Sequence, residues 1–164
     1  MNIEETCCFT GHRPEKLKSG EAEIRNALKE KITEAVSKGF KTFISGMAPG
    51  VDIWAAEEVL ELKKTNGEIK LICAVPFPGV HKNRTKEERE RFETIISAAD
   101  GVEYICPGYT RWCFQARDKW MVDNAALIIA VYGGIPGGTK ITLDLAKKKN
   151  REIMMIEDKG KEDV

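Results

Sequence analysis

The stretch Ser45-Gly46-Met47-Ala48-Pro49-Gly50-Val51-Asp52 decides how this chain folds. Ahead of it, Thr42 to Ser45 is a short run suited to a strand, and behind it Asp52 to Lys64 carries a helical pattern. A buried strand that runs through a Gly- and Pro-rich turn straight into a helix is the first half of a β-α-β unit. The same grammar repeats in both directions along the chain. Further strands are expected at Thr6 to Thr10, Lys70 to Val75, Val102 to Cys106, Ala126 to Tyr132 and Glu152 to Ile156. Most are continuously apolar, as in strands covered on both faces. Between them, Ile24, Leu28, Ile32, Ala35 and Val36 fall on one helical stripe, and so do Phe92, Ile95, Ile96 and Ala99. Thr85 and Glu88 form a capping box ahead of the second stripe. Phe114 to Asn124 and Thr139 to Lys149 complete a set of five helices. Strict alternation with right-handed crossovers predicts an α/β fold, a single three-layer Rossmann-like domain with a mainly parallel, doubly wound sheet. The domain is expected over residues 1–158, with a polar tail at 159–164.

Composition narrows the function classes. With 164 residues, 42% of them hydrophobic, the chain suits one sizeable core. Its 26 basic and 26 acidic side chains cancel, which argues against a polybasic nucleic-acid or membrane binder. No segment approaches the roughly 20 apolar residues of a membrane span. The start, Met-Asn-Ile-Glu-Glu, lacks the pattern of a secretory signal, so a cytoplasmic location is expected. Cys7, Cys8, Cys73, Cys106 and Cys113 are odd in number and show no CxxC spacing, and they read as buried thiols. No metal site is expected, and no cofactor is required.

The unusual residues concentrate where strands end. Thr10-Gly11-His12-Arg13-Pro14 follows the first strand, and the stretch quoted above follows the second. Pro76-Phe77-Pro78-Gly79 and Pro107-Gly108-Tyr109-Thr110-Arg111-Trp112 follow the third and fourth. Gly133-Gly134-Ile135-Pro136-Gly137-Gly138-Thr139 follows the fifth. Helix-to-strand connections such as Ser37-Lys38-Gly39-Phe40-Lys41 read instead as ordinary C-cap turns. Open α/β sheets bind ligands at the carboxyl edge. Two of these loops enter helices, whose free N–H groups and positive dipole ends suit phosphate, although neither is a GxGxxG or P-loop motif. The candidate ligand-binding residues are therefore Thr10, Gly11, His12, Arg13, Ser45, Gly46, Gly50, Asp52, Phe77, Pro78, Trp112, Arg117, Gly133, Gly134, Gly137, Gly138 and Thr139. Arg13 and Arg117 offer counter-charge, and Trp112 beside Arg111 offers a stacking face. Asp52 reads as the N-cap of its helix, as a carboxylate for ribose hydroxyls or acid–base work, or as both; it is the candidate catalytic residue. Trp54 and Trp120 read as core, and His81 as a solvent-facing loop residue.

Residues 45 to 57, Ser-Gly-Met-Ala-Pro-Gly-Val-Asp-Ile-Trp-Ala-Ala-Glu, resemble the central motif of the YpsA-like proteins of the SLOG superfamily. The opening Thr-Gly-His-Arg-Pro and the late Gly-Gly-Thr match that pattern too, and the likeness covers essentially the whole chain. The resemblance implies a Rossmann-type domain that binds nucleotides or nucleotide-derived ligands such as ADP-ribose, with Gly50 and Asp52 at the ligand site. The same segment is similar to the SGxAxGID motif of DNA-processing protein A, which binds single-stranded DNA. A third likeness, to the LOG-type phosphoribohydrolases with their PGGxGTxxE motif, breaks at one place. Thr142 stands where that family has its catalytic Glu, and the nearest acid is Asp144.

The leading expectation is a module that binds a small phosphorylated, nucleotide-like ligand, in a sensing or regulatory role, with turnover left open. One alternative is a nucleotide N-glycosidase in which Asp52 stabilises or attacks an oxocarbenium-like centre, though no second acid is evident. The other is single-stranded nucleic-acid binding through an Arg and Trp surface, which the neutral charge disfavours. No membrane partner is expected, and self-association stays open.

Overall fold

The computed structural model describes residues 1–160. Residues 161–164 of the expected tail therefore lie outside the described residues. Six strands, β1 (Thr6–Gly11), β2 (Thr42–Ser45), β3 (Lys70–Val75), β4 (Gly101–Tyr104), β5 (Leu127–Tyr132) and β6 (Glu152–Glu157), form one sheet in the order 4-3-2-1-5-6. Every pairing is parallel. Helices α1 (Glu21–Ser37), α2 (Val51–Lys63), α3 (Lys86–Ala98), α4 (Cys113–Asp123) and α5 (Gly138–Lys148) cover it, and a single 3-10 turn over Pro14–Lys16 follows β1. The architecture is the expected Rossmann-like domain.

Side-chain alternation along the central strands builds two cores. Cys7 and Phe9 of β1, with Leu127, Ile129 and Val131 of β5, pack against Ile24 and Leu28 of α1 and Val59 of α2. Cys8, Ile128 and Ala130 point the other way, onto Met121 and Val122 of α4 and Leu143 and Ala146 of α5. Adjacent cysteines thus enter opposite cores, and all five are free thiols. Burial pushes the Cys7 and Cys8 thiols far up and the Cys73 thiol to about 12, which leaves them inert. Among the described residues no helix is long and apolar enough to cross a membrane.

The edges depart from the sequence expectation. β4, expected at Val102 to Cys106, runs from Gly101 to Tyr104 and exposes Glu103 and Tyr104. β6 buries only Met154 and Ile156. An edge strand has one paired neighbour and less cover, so a both-faces-apolar reading fails there first. Trp54 is core, whereas Trp120 is only partly buried against the second core. His81 does not face solvent: its ring stacks on Phe92 with centroids 4.0 Å apart and planes 13° apart. The apolar face of Phe92, the first core residue of α3, draws the imidazole in.

Local chemistry sets the connections. Thr85 accepts the Glu88 N–H at the start of α3, as its spacing predicts. At the end of α1, Gly39 has φ +99°, and the Phe40 and Gly39 N–H groups donate to the Ala35 and Val36 carbonyls. Far along the chain, the buried Asp158 carboxylate accepts from the Lys18 N–H at 2.7 Å and the Ser19 N–H at 2.9 Å. That clamp fixes the approach to α1. The strand order reverses between β1 and β5, so the loops leaving these strands diverge and open a crevice at the carboxyl edge.

Candidate functional site

A cleft of about 330 Å³ occupies that crevice. The end of β1 and the loop after it supply Thr10, Gly11, His12, Arg13 and Lys16. Ala48 and Asp52 come from the β2–α2 turn, and Phe114, Arg117, Asp118 and Met121 from α4. Gly137, Gly138 and Thr139 complete it at the start of α5. Nine of the expected residues therefore meet in one space: Thr10, Gly11, His12, Arg13, Asp52, Arg117, Gly137, Gly138 and Thr139.

Others lie close behind it or elsewhere. The Ser45 hydroxyl donates to the Asp52 backbone carbonyl at 2.8 Å and accepts from the Met47 N–H. A Cβ on Gly46 would lie 2.9 Å from Asp52 Oδ2 and 3.0 Å from Arg117 Cδ, so only glycine fits there. Gly50, at φ +90°, backs onto Pro14. Phe77 packs edge-on against Phe114 and Tyr109, and Pro78 is exposed. Trp112 is exposed outside the cleft, with the Arg111 guanidinium 4.7 Å over its ring. Gly133 and Gly134 line a separate groove with Lys18 and Asp158.

Asp52 is not an N-cap. Gly50 holds that position without a side-chain bond, and Asp52 sits one residue inside α2. Its carboxylate is turned inward, 6% exposed, with Oδ2 accepting from the Ala48 N–H at 3.2 Å. Burial pushes its pKa up to about 6, against the pull of Arg117, the Ala48 N–H and Arg84. Arg117 is itself buried, donating from Nη1 to the Gly46 carbonyl and from Nε to Asp118 Oδ1, each at 3.0 Å. Its charge is therefore already engaged within the protein.

Asp118 is the acid that sequence reasoning missed. Burial raises its pKa too, with Arg117 pulling the other way. Thr142, at the position of the LOG-type glutamate, is buried beside this carboxyl. A carboxyl whose proton is held more tightly by burial, lining a cleft, is suited to acid–base work there.

The opposite end of the cleft is electropositive. Gly137, φ +150°, is the N-cap of α5 and offers no side-chain acceptor, so the first N–H groups of the helix find no acceptor within it. A Cβ on Gly137 would lie 3.9 Å from Lys16 Nζ, which places this ammonium at the helix start. Arg13 also lines the cleft. Next to it, His12 is 5% exposed and its Nε2 accepts from the Gly133 N–H at 3.4 Å. Burial lowers the His12 pKa, Lys16 and Lys18 reinforce the shift, and Asp158 opposes it. The imidazole is therefore neutral at neutral pH.

The model of the YspA SLOG family matches residues 7–158. The chain belongs to this family. Among curated relatives, a UPF0398 protein of Bacillus cereus strain G9842 is 31% identical over 149 residues, spanning 85% of this chain and 81% of its own length. A UPF0398 protein of Bacillus thuringiensis strain Al Hakam is 31% identical over 129 residues, or 77% of this chain and 70% of that protein. Two solved structures share the fold of this SLOG-family chain at low identity. DNA processing protein A from Streptococcus pneumoniae superposes with a TM-score of 0.65 at 17% identity, covering 93% of this chain. The chain spans only 50% of that protein. Its Helicobacter pylori counterpart, whose structure describes a single-stranded DNA binding mode, gives 0.65 at 16% identity, with 94% and 65% covered.

Proposed function

We propose that the cleft binds a phosphorylated nucleotide or nucleotide-derived ligand of the ADP-ribose kind, in a sensing or regulatory role. The observation that carries this reading is the meeting of Lys16 with the uncapped start of α5 in a cleft that Arg13 also lines. A cation at the positive end of a helix dipole is repelled by it, and an anion between the two makes both interactions favourable. A phosphate there accepts from the Gly138 and Thr139 N–H groups and from the Lys16 ammonium. Asp52 and Asp118 then serve sugar hydroxyls, and Phe114 offers apolar surface to a base. The volume falls in the range of about 300–1,000 Å³ usual for small-molecule sites.

A thermal-shift screen with nucleoside monophosphates, ADP, NAD and ADP-ribose tests this, with each mixture analysed afterwards by chromatography. A ligand at about 100 times its dissociation constant adds roughly 2.7 kcal/mol of stability. Stabilisation with the ligand recovered intact supports the binding reading. Release of free base would instead favour an N-glycosidase, for which Asp118 supplies the second carboxylate. No shift with any compound overturns the proposal.

A second reading, single-stranded nucleic-acid binding, is favoured by the fold shared with DNA processing protein A and by exposed Tyr109 and Trp112 beside Arg111. Oligonucleotide affinity that collapses with added salt would support it.

A further inference from the structure

A second groove, of about 460 Å³, opens beside the cleft between Pro14, Pro49 and residues 80–88. Arg13 and Phe114 line both spaces, so the two share a wall. Arg84 reaches the groove from the far side. Protein contacts fix its place: Nη1 donates to the Met47 carbonyl at 2.8 Å, its own carbonyl accepts from Arg89 at 2.7 Å, and its guanidinium lies 5.4 Å over the Phe92 ring. Its remaining N–H donors find no acceptor among the described residues.

Arg25, Arg91 and Arg117 each hold a carboxylate within ion-pair distance. Among the described residues, neither Arg13 nor Arg84 does. Glu15 and Glu88 also line the groove without forming an ion pair with either arginine. Burial, and then the charge of Arg13, drag the Arg84 pKa down to about 10, against the pull of Glu88 and Asp52. Arg84 is thus half-buried beside a second guanidinium, with no carboxylate in ion-pair reach of either, an arrangement that an anion between them would stabilise.

We propose that this groove is a second anion subsite, where Arg84 and Arg13 hold a further phosphate group of the ligand seated in the cleft. The fitting chemistry is a nucleotide with two phosphate groups, one at the start of α5 and one between the arginines. The ligand's identity rests on the cleft reading; the anion itself does not.

Two titrations of the full chain separate the outcomes. In the first, inorganic phosphate is added while the arginine Nε–H signals are followed by nitrogen-15 NMR. The Arg84 and Arg13 signals are expected to shift along saturating curves. An Arg84 signal that stays still overturns the subsite, whether or not any nucleotide binds. In the second, calorimetry compares adenosine 5′-monophosphate with ADP and adenosine 3′,5′-bisphosphate. One of the two-phosphate nucleotides is expected to bind about tenfold more tightly than the monophosphate. Arg84→Met erases that gain while monophosphate affinity stays unchanged, and Arg84→Lys, which keeps the charge, restores part of it. A gain that survives in Arg84→Met overturns the proposal. A phosphate response at Arg84 with no nucleotide bound keeps the anion subsite and overturns the nucleotide reading instead.

Discussion

Asp52→Asn should gain stability relative to the native protein as pH rises from about 4 to 7, even though it alters a buried, hydrogen-bonded carboxyl. Burial lifts the Asp52 pKa from 3.8 to about 6 in the folded chain. Between those values the folded state binds more protons than the unfolded state, so native stability falls as pH rises through this window. At about 1.36 kcal/mol per pH unit, the loss comes to about 3 kcal/mol and then stays constant above pH 7 or so. Asparagine never ionises, and its side-chain carbonyl can still accept the Ala48 N–H that Oδ2 accepts now. Urea unfolding of both proteins from pH 4 to 8 gives the difference curve. It should move in the variant's favour by up to about 3 kcal/mol across the window and then level off. A flat curve would mean that the carboxyl titrates as it does in the unfolded chain. A curve of the opposite slope would mean that Arg117 holds it ionised despite burial. Either result refutes the reasoning.

Three further outcomes follow from packing and exposure. Gly11→Ala places a Cβ within 2.5 Å of the Val51 side chain, which is fully buried at the start of α2, so stability should fall by about 3 kcal/mol or more in urea unfolding. Cys106 is the one cysteine not fully enclosed, so iodoacetamide on the native protein should mark it and spare the other four, as peptide mass mapping would show. Arg91 bonds Glu57 and Glu21, joining α3 to α2 and α1, and Arg91→Ala should cost about 1 kcal/mol, with the difference shrinking in molar salt.

The fold was legible because the central strands carry their own signal. β1, β3 and β5 are apolar enough to need cover on both faces, and the turns after them are dense in glycine and proline. The site was legible by location and less so by contact. Pro49-Gly50-Val51-Asp52 offers several starts for α2, and cap preferences favour Asp, whereas the positive φ of Gly50 lets the glycine take the cap and turns the carboxylate inward. Asp118 hid in a charged helix that reads as a solvated face. Yet Phe114, Arg117, Asp118 and Met121 recur at three- and four-residue spacing, so the charged pair shares a stripe with two apolar residues. That pattern was available in the sequence. Arg84 carried no comparable signal, since its place depends on the Met47 carbonyl far away in the chain.

The strand order has a consequence for how the protein is made. β1 lies in the middle of the sheet, and its pairing with β2, β3 and β4 proceeds outward as those segments appear. Its other edge waits for β5, and the loop carrying Arg13 and Lys16 is anchored only when Asp158 captures the N–H groups of Lys18 and Ser19. A ribosome that has delivered residues 1–125 therefore presents four of the six strands with an open, apolar edge and a cleft still lacking the start of α5. Such an intermediate is a natural client for chaperones and a hazard for edge-to-edge association. The cleft is complete only once the start of α5 has emerged, and its first loop is clamped only once Asp158 has followed.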